Sequence, residues 1–528
     1  MLILYHGRIQ TLNPTQPHAS AMAIEGGRIM AVGSDDEILA LANWRSIQYD
    51  LDGKTVWPGL TDAHIHLDHY SQGLSYVDCE TPSREECLQR VAEKAHQVPQ
   101  GEWIRGHGWN QNNWPEGFGN CADLDAITTH HPVYLTAKSL HAAWANSAAL
   151  KLAGVTPSTP DPDGGKVLRD SSGKPTGILL ESAMGLVESA IPPVTVDQTR
   201  ENILAAQRTL WQSGITGVHD YDQARCFSAL QLLDSEHNLH LRVVKSIPHE
   251  LLPHAAALGL RSGFGSQFLR IGSVKLFSDG ALGPRTAAML QPYEGEPENT
   301  GILLLDSEQI FEAGQRAVQT GLSLAIHAIG DRANHEVLNG YAQLRQFEAD
   351  SHLPHLRHRI EHVQILHPKD YDRLATLQVI ASVQPIHATS DMRMADRFWG
   401  KRSAGAYAYA TLSKLGTSLA FGSDAPVEQP NPFFGLHAAV TRQRPDGQPQ
   451  SDGWYPEQRL TLMQALQGFT TGAAYASYQE NSLGQLSPGY LADLILLDVD
   501  PFDIPPEELF KVKPVATMVA GDWVWQNE

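Results

Sequence analysis

Cysteine is scarce: Cys79, Cys87, Cys121 and Cys226 are the four in 528 residues. They are scattered and form no Cys-x-x-Cys pair, which excludes a disulfide framework and a thiolate metal knuckle. No run of 18 apolar residues occurs, which excludes a helical membrane span. The start, Met1-Leu2-Ile3-Leu4-Tyr5-His6-Gly7-Arg8, lacks the charged leader and apolar core of a secretory signal, so a cytoplasmic location is expected. Basic residues are in deficit, 39 Lys and Arg against 59 Asp and Glu, and the net charge of −20 argues against a nucleic-acid or anionic-membrane partner. A hydrophobic content of 42% and a charged content of 19% are ordinary for a folded chain and exclude wholesale disorder. Several catalytic signatures are also missing. There is no Gly-x-Ser-x-Gly elbow and no His-Glu-x-x-His helix. Gly53-Lys54-Thr55 has Gln48 where a phosphate loop needs glycine, and Gly263-Phe264-Gly265 lacks the third glycine of a dinucleotide site.

Histidine, by contrast, is plentiful, with 24 copies. At that abundance about one His-x-His pair arises by chance, so His64-Ile65-His66 takes its meaning from its setting. That setting is a βα rhythm. Short β-like runs occur at Val56–His66, Ile215–Asp220, Leu241–Ile247, Ile271–Ser278, Leu322–Ala328, His358–Val363, Val379–Gln384 and Ser418–Asp424, most of them followed by helical stretches. Eight such units predict an α/β fold, a (β/α)8 barrel. Both chain ends instead read as hairpins, Ala21–Ile24 with Ile29–Val32 around Gly26-Gly27, and Thr517–Ala520 with Trp523–Trp525. Isolated hairpins are marginal, so residues 1–55 and 480–528 are expected to pair into one small β-sandwich. The barrel then takes residues 56–74 and 206–479. The remaining 75–205, too long for a loop, form an inserted subdomain. It leaves from the end of the first strand and is expected to act as a lid or substrate wall. Trp109 and His141 are its candidate substrate contacts, although the tryptophans could equally be core.

The chemistry-bearing residues fall at the C-terminal ends of the predicted strands, where barrel active sites lie. His64 and His66 end the first, facing the same way at i and i+2. Lys275 lies in the fourth, His327 ends the fifth, His362 the sixth and Asp424 the eighth. Four imidazoles, a carboxylate and a lysine at one rim suit a metal site. A lysine in an apolar strand is costly unless paired or modified. His387, after the seventh strand, is a candidate hydrogen-bond donor to a substrate carbonyl or oxyanion. Asp279, before Gly280, reads as a turn residue or a substrate-binding acid.

Pro58-Gly59-Leu60-Thr61-Asp62-Ala63-His64-Ile65-His66, with the Lys, His, His, Asp order that follows, resembles the amidohydrolase superfamily. Val274–Gly283, His327-Ala328-Ile329-Gly330-Asp331, Glu361-His362, Gln384-Pro385-Ile386-His387 and Gly422–Pro426 are similar to amidohydrolase family 3, the branch of YtcJ-like proteins and N-substituted formamide deformylases. The segment around His141 departs from it, with Ser139-Leu140 where many relatives have Asp-Gly. The resemblance implies two divalent ions, with zinc favoured by the ligand types. His64, His66 and Asp424 would hold one and His327 and His362 the other, with Lys275, carboxylated by CO₂, bridging them. It further implies attack by a metal-bridging hydroxide on a non-peptide C–N bond, an amide or N-substituted formamide, with Asp424 moving the proton. An ester, lactone or cyclic imide hydrolase on the same site is the alternative, and a non-catalytic barrel the third reading. The expected partner is a small-molecule substrate; a homodimer is left open.

Overall fold

The computed structural model describes residues 1–111, 114–115, 117–138 and 142–527. The chain divides into two units, residues 1–70 with 199–528, and residues 71–198.

The first unit contains eight parallel strands: β1 (Leu60–Ile65), β2 (Ile215–Asp220), β3 (Arg242–Pro248), β4 (Leu269–Phe277), β5 (Leu324–Ala328), β6 (Arg359–His362), β7 (Ile380–Val383) and β8 (Leu419–Phe421). Each pairs with its neighbour in that order, and a parallel bridge between Ile65 and Ala425 joins the last strand to the first. This is the α/β barrel the βα rhythm predicts. Its strands are buried over almost every residue, as parallel strands covered by helices must be. Local signals set the crossovers. The helix Ser307–Thr320 opens on a capping box of Asp306 and Gln309 and ends at Gly321, whose φ of 82° is easy for glycine alone. The chain then enters β5.

The expected first strand, Val56–His66, is two strands in two sheets. Gly59 N–H donates to Asp493 O while Leu60 N–H donates to Gly214 O, so the pairing partner changes at Gly59. A Cβ at Gly59 would lie 2.4 Å from Thr216 Oγ1, so only glycine makes the crossing. Thr55–Pro58 therefore joins a six-stranded sheet with Arg8–Gln10 and Leu494–Leu497, built from both chain ends. A four-stranded sheet of Arg28–Gly33, Ala21–Glu25, Leu2–Tyr5 and Ile47–Asp50 accompanies it. Leu4, Met22, Val56, Leu494 and Met518 from both sheets share one core. A buried bidentate pair, Arg242 with Asp493, ties the barrel to these terminal strands.

The second unit is a six-stranded mixed sheet in the order Gly165–Arg169, Pro175–Glu181, Ala142–Ala145, Val133–Ala137, Ile104–Trp109, Val77–Asp78. Its core holds Trp109, Trp114 and Trp144 with Leu124 and Leu135. No described helix of either unit is long and apolar enough to cross a membrane.

Candidate metal centre

The barrel interior is unusually polar. Barrel cores are normally filled by branched apolar side chains. Here Arg359 of β6 donates to Ala63 O of β1, to His219 Nδ1 of β2 and to Ser382 Oγ of β7. Reaching three other strands places its guanidinium on the barrel axis. Its Nε lies 2.5 Å from Glu361 Oε1, a buried ion pair. Glu361 also accepts from Tyr221 O–H, at 3.0 Å. Above this platform sit the strand-end residues that the sequence singles out.

Each of the four imidazoles has one ring nitrogen engaged by the protein. His64 Nδ1 bonds Glu361 Oε2 at 2.6 Å, and His66 Nδ1 bonds Asp222 Oδ1 at 3.2 Å. His362 Nδ1 bonds Gln384 Oε1 at 2.8 Å, and His327 Nε2 bonds Gly280 O at 3.0 Å. Of the other nitrogens, Nε2 of His64 and His362 and Nδ1 of His327 are left over, while His66 Nε2 turns to Asp424. The His362 ring lies 4.9 Å from that of His64 and 4.6 Å from that of His327. His64 Nε2 and His66 Nε2 both lie 3.4 Å from Asp424 Oδ1. Donor atoms of His64, His66 and Asp424 fall within 4.8 Å of one another, and so do those of His362, His387 and Asp424.

Burial sets the protonation of this cluster. It pushes the His64 and His327 imidazoles down to about 4, helped by the charge of Lys275, and holds His362 well below its ordinary value. Such imidazoles are neutral at pH 7 and have no proton to displace before binding a cation. Burial also lowers His66, but its hydrogen bonds to Asp222 and Asp424 outweigh that and bring it to about 9. Burial brings Lys275 down to about 8, against the pull of Glu361 and Asp424. Its ammonium lies 4.6 Å from the Tyr221 ring and 5.0 Å from the Phe277 ring.

Two of these residues are held in unfavourable backbone shapes. His362 has φ of 77° and Asp424 of 61°, the left-handed region that side chains avoid. Asp62 clamps the second of them. Its carboxylate accepts from Ser423 N, Ser423 Oγ and His64 N, tying the segment before Asp424 to β1.

These groups fit divalent ions. His64 Nε2 is buried with no hydrogen-bond partner among the described residues, a costly arrangement unless a cation takes the lone pair. The donor set is nitrogen and carboxylate oxygen, the set favoured by zinc and its neighbours. The outward nitrogens are aimed by buried acceptors, as in metal sites generally.

Comparison with known proteins bears on this geometry. The amidohydrolase family matches residues 48–525. The chain belongs to the amidohydrolase family. This amidohydrolase is 31% identical to the "Putative amidohydrolase YtcJ" of Bacillus subtilis over all of both chains. It is 29% identical to the "N-substituted formamide deformylase" of Arthrobacter pascens, over 98% of this chain and 97% of that one. Among solved structures, an uncharacterised metal-dependent hydrolase of Pyrococcus furiosus superimposes with a TM-score of 0.79 at 30% identity, covering 95% of this chain and all of the other.

Other expected site residues fall differently. His387, on the helix Pro385–Ser390 after β7, is buried with neither ring nitrogen hydrogen-bonded among the described residues, and its Nε2 is 4.0 Å from Asp424 Oδ2. Asp279 is buried, with Oδ1 3.5 Å from His327 Nε2. Its carboxylate accepts from the backbone N–H groups of Ala288, Ile329 and Gly330, so it holds the loop after β5. Trp109 is fully buried, donates to Leu135 O and stacks on Trp114, so of the two readings of this residue the core one holds. His141 lies outside the described residues. Sequence reasoning gave no role to Glu361, Tyr221, Asp222 or Gln384, although two acids and a tyrosine inside or just past buried strands were a visible signal.

Proposed function

We propose that this amidohydrolase is a metal-dependent hydrolase of a non-peptide carbon–nitrogen bond, an amide or an N-substituted formamide. The observation that carries the reading is the convergence of His64, His66 and His362 on Asp424, with His327 beside His362 and each imidazole held by the protein through one ring nitrogen. His64, His66 and Asp424 would hold one divalent ion, and His327 and His362 a second, with carboxylated Lys275 between them. When bound, such a pair lowers the pKa of water towards neutrality and polarises a carbonyl.

The chain's own residues supply the rest. Asp424 is kept ionised. Burial raises its carboxyl, but the hydrogen bond from His66 and the neighbouring imidazoles hold it well below the ordinary range. It can therefore take a proton from the attacking water and return it to the leaving amine. His387, with no hydrogen-bond partner among the described residues, can donate to the carbonyl oxygen as negative charge develops there. Burial brings Lys275 down to about 8, which favours the neutral amine that can attack CO₂. A carbamate there adds an anion that offsets part of the metal charge. The 29% identity with a formamide deformylase supports the choice of bond.

The test is hydrolysis of a panel of formamides, acetamides, lactones, esters and cyclic imides, before and after chelation and metal restoration. Chelator-sensitive turnover of amides or formamides is expected. Turnover of lactones or esters alone, or activity indifferent to chelation with no transition metal by elemental analysis, refutes the reading.

A further inference from the structure

The proposed reaction leaves the body of the substrate unspecified, and the substrate class inferred from the neighbouring cavity rests on that reaction. This cavity, of about 330 Å³, opens beside the centre, with His66 and Lys275 in its wall. A formyl group fills little of that space, so most of it accommodates the rest of the substrate. One side is apolar. Phe277 and Leu304 line it and are 49% and 53% exposed, unusual for large apolar side chains that sit next to a polar centre.

The other side is charged. Of the carboxylates in the wall, Asp222 is bonded to both His66 and His69. Glu250 is exposed and has no hydrogen bond or ion pair among the described residues. Lys275 is the ammonium of the wall and belongs to the centre. With His66 and His69 both tied to Asp222, Glu250 is the carboxylate of the wall that has no partner among the described residues. Its height follows from register. Pro248 pairs level with Lys275, and Glu250 comes two residues later, on the turn His249–Leu251. At most about 7 Å of chain separates the two levels, roughly one aryl ring.

We propose that the substrate's nitrogen substituent is an apolar, aryl-sized group with a positive charge at its far end. Phe277 and Leu304 pack along its length and Glu250 holds the charge.

Three formamides test this: N-formyl-4-(aminomethyl)benzylamine, its neutral 4-methylbenzyl analogue, and the anionic 4-carboxybenzyl analogue. The expected order of kcat/KM is cation over neutral over anion, with a cation-to-neutral ratio of about two to five, the scale of one exposed charge pair. Glu250→Gln and Glu250→Ala bring that ratio towards one, and raising the salt does the same in the parent enzyme. Calorimetry gives a second readout without turnover: p-xylylenediamine binds the metal-loaded protein several-fold more weakly after Glu250→Gln. A ratio unchanged by both substitutions, a preference for the neutral or anionic compound, or diamine binding indifferent to Glu250 overturns the inference. Hydrolysis of the neutral formamide without charge preference sinks this inference and leaves the hydrolase reading intact. If no formamide is turned over by metal-replete protein while diamine binding still depends on Glu250, the reaction fails and the acidic subsite stands.

Discussion

Replacing Glu361 by Gln isolates the contribution of the buried platform to metal binding. In the native arrangement His64 Nδ1–H donates to an ionised carboxylate at 2.6 Å, which leaves Nε2 as the free lone pair. A glutamine at this position can present its N–H₂ to Nδ1. The imidazole then carries its proton on Nε2, the atom facing the metal position, and binding must first reverse that tautomer. Loss of such a partner typically weakens metal affinity by about 10- to 100-fold, roughly 1.4 to 2.8 kcal/mol. A second effect runs in parallel. Arg359 loses its counter-ion, and breaking a buried pair costs about 3–5 kcal/mol of stability. Its bonds to Ala63 O, His219 and Ser382 remain and limit the damage. The two effects are separable. Circular dichroism and a melting curve report folding, and competitive titration with a chromophoric chelator reports affinity. Tyr221→Phe, which removes the O–H donor at 3.0 Å but keeps the carboxylate, serves as the milder comparison. The expected order of affinity is parent, Tyr221→Phe, Glu361→Gln. A folded Glu361→Gln protein with parental affinity for both ions would show that the His64–Glu361 bond does not orient the ligand.

Further outcomes are expected from other parts of the centre. Asp424→Asn should keep its metal and fold but lose at least ~100-fold in kcat, the usual value of acid–base assistance; near-parental turnover would make Asp424 a ligand only. Protein loaded with ¹³C-bicarbonate and metal should show a carbamate carbon signal that is absent in Lys275→Met, and its absence in active, two-metal parent enzyme would refute the bridge. His358 gives a stability effect in acid. It accepts from Leu324 N–H through Nδ1, contacts Glu348 through Nε2 and is held neutral by burial, with its pKa down at about 4. Because the folded pKa lies below the unfolded one near 6.5, its contribution, about 3 kcal/mol, is fully present above pH 6.5 and is lost as the pH falls towards 4. The melting temperature of His358→Gln should accordingly fall less between pH 7 and pH 5 than that of the parent, and equal slopes would refute it.

The parts legible in the sequence were those that need only local order. Eight apolar runs separated by helical stretches specify a barrel, and a histidine at the last position of a run is placed at the rim without knowing its neighbours. That is how His64, His66, His327, His362 and Asp424 could be named. The rest depended on contacts across the chain. The carboxylate that aims His64 is 297 residues away and the one that aims His66 is 156 away, so no spacing rule connects them. Asp279 beside a glycine looks like any turn acid. Its three backbone donors come from the segments around 288 and 330, which only the folded barrel brings to it. Val56–His66 was one apolar run to the eye because a change of sheet at Gly59 alters hydrogen-bond partners and not side-chain pattern.

The same logic explains why the strain of the site sits where it does. A barrel strand delivers side chains alternately inward and outward, so one rim can offer only as many converging groups as there are inward positions at the strand ends. His362 and Asp424 lie at or just past strand ends, where the ladder no longer dictates the backbone. Their left-handed φ values turn each chain inward sooner than an extended continuation would. That turn is unfavourable by itself, roughly 1–3 kcal/mol per residue, and must be held by neighbours. For Asp424 the holding groups come from β1: its own N–H bonds His64 O, and Asp62 grips Ser423 from the adjacent strand. The clamp and two of the ligands thus come from one stretch, residues 62 to 66, the end of β1 and the residue after it. A single strand both closes the barrel and fixes the carboxylate of the metal position that His64 and His66 would complete.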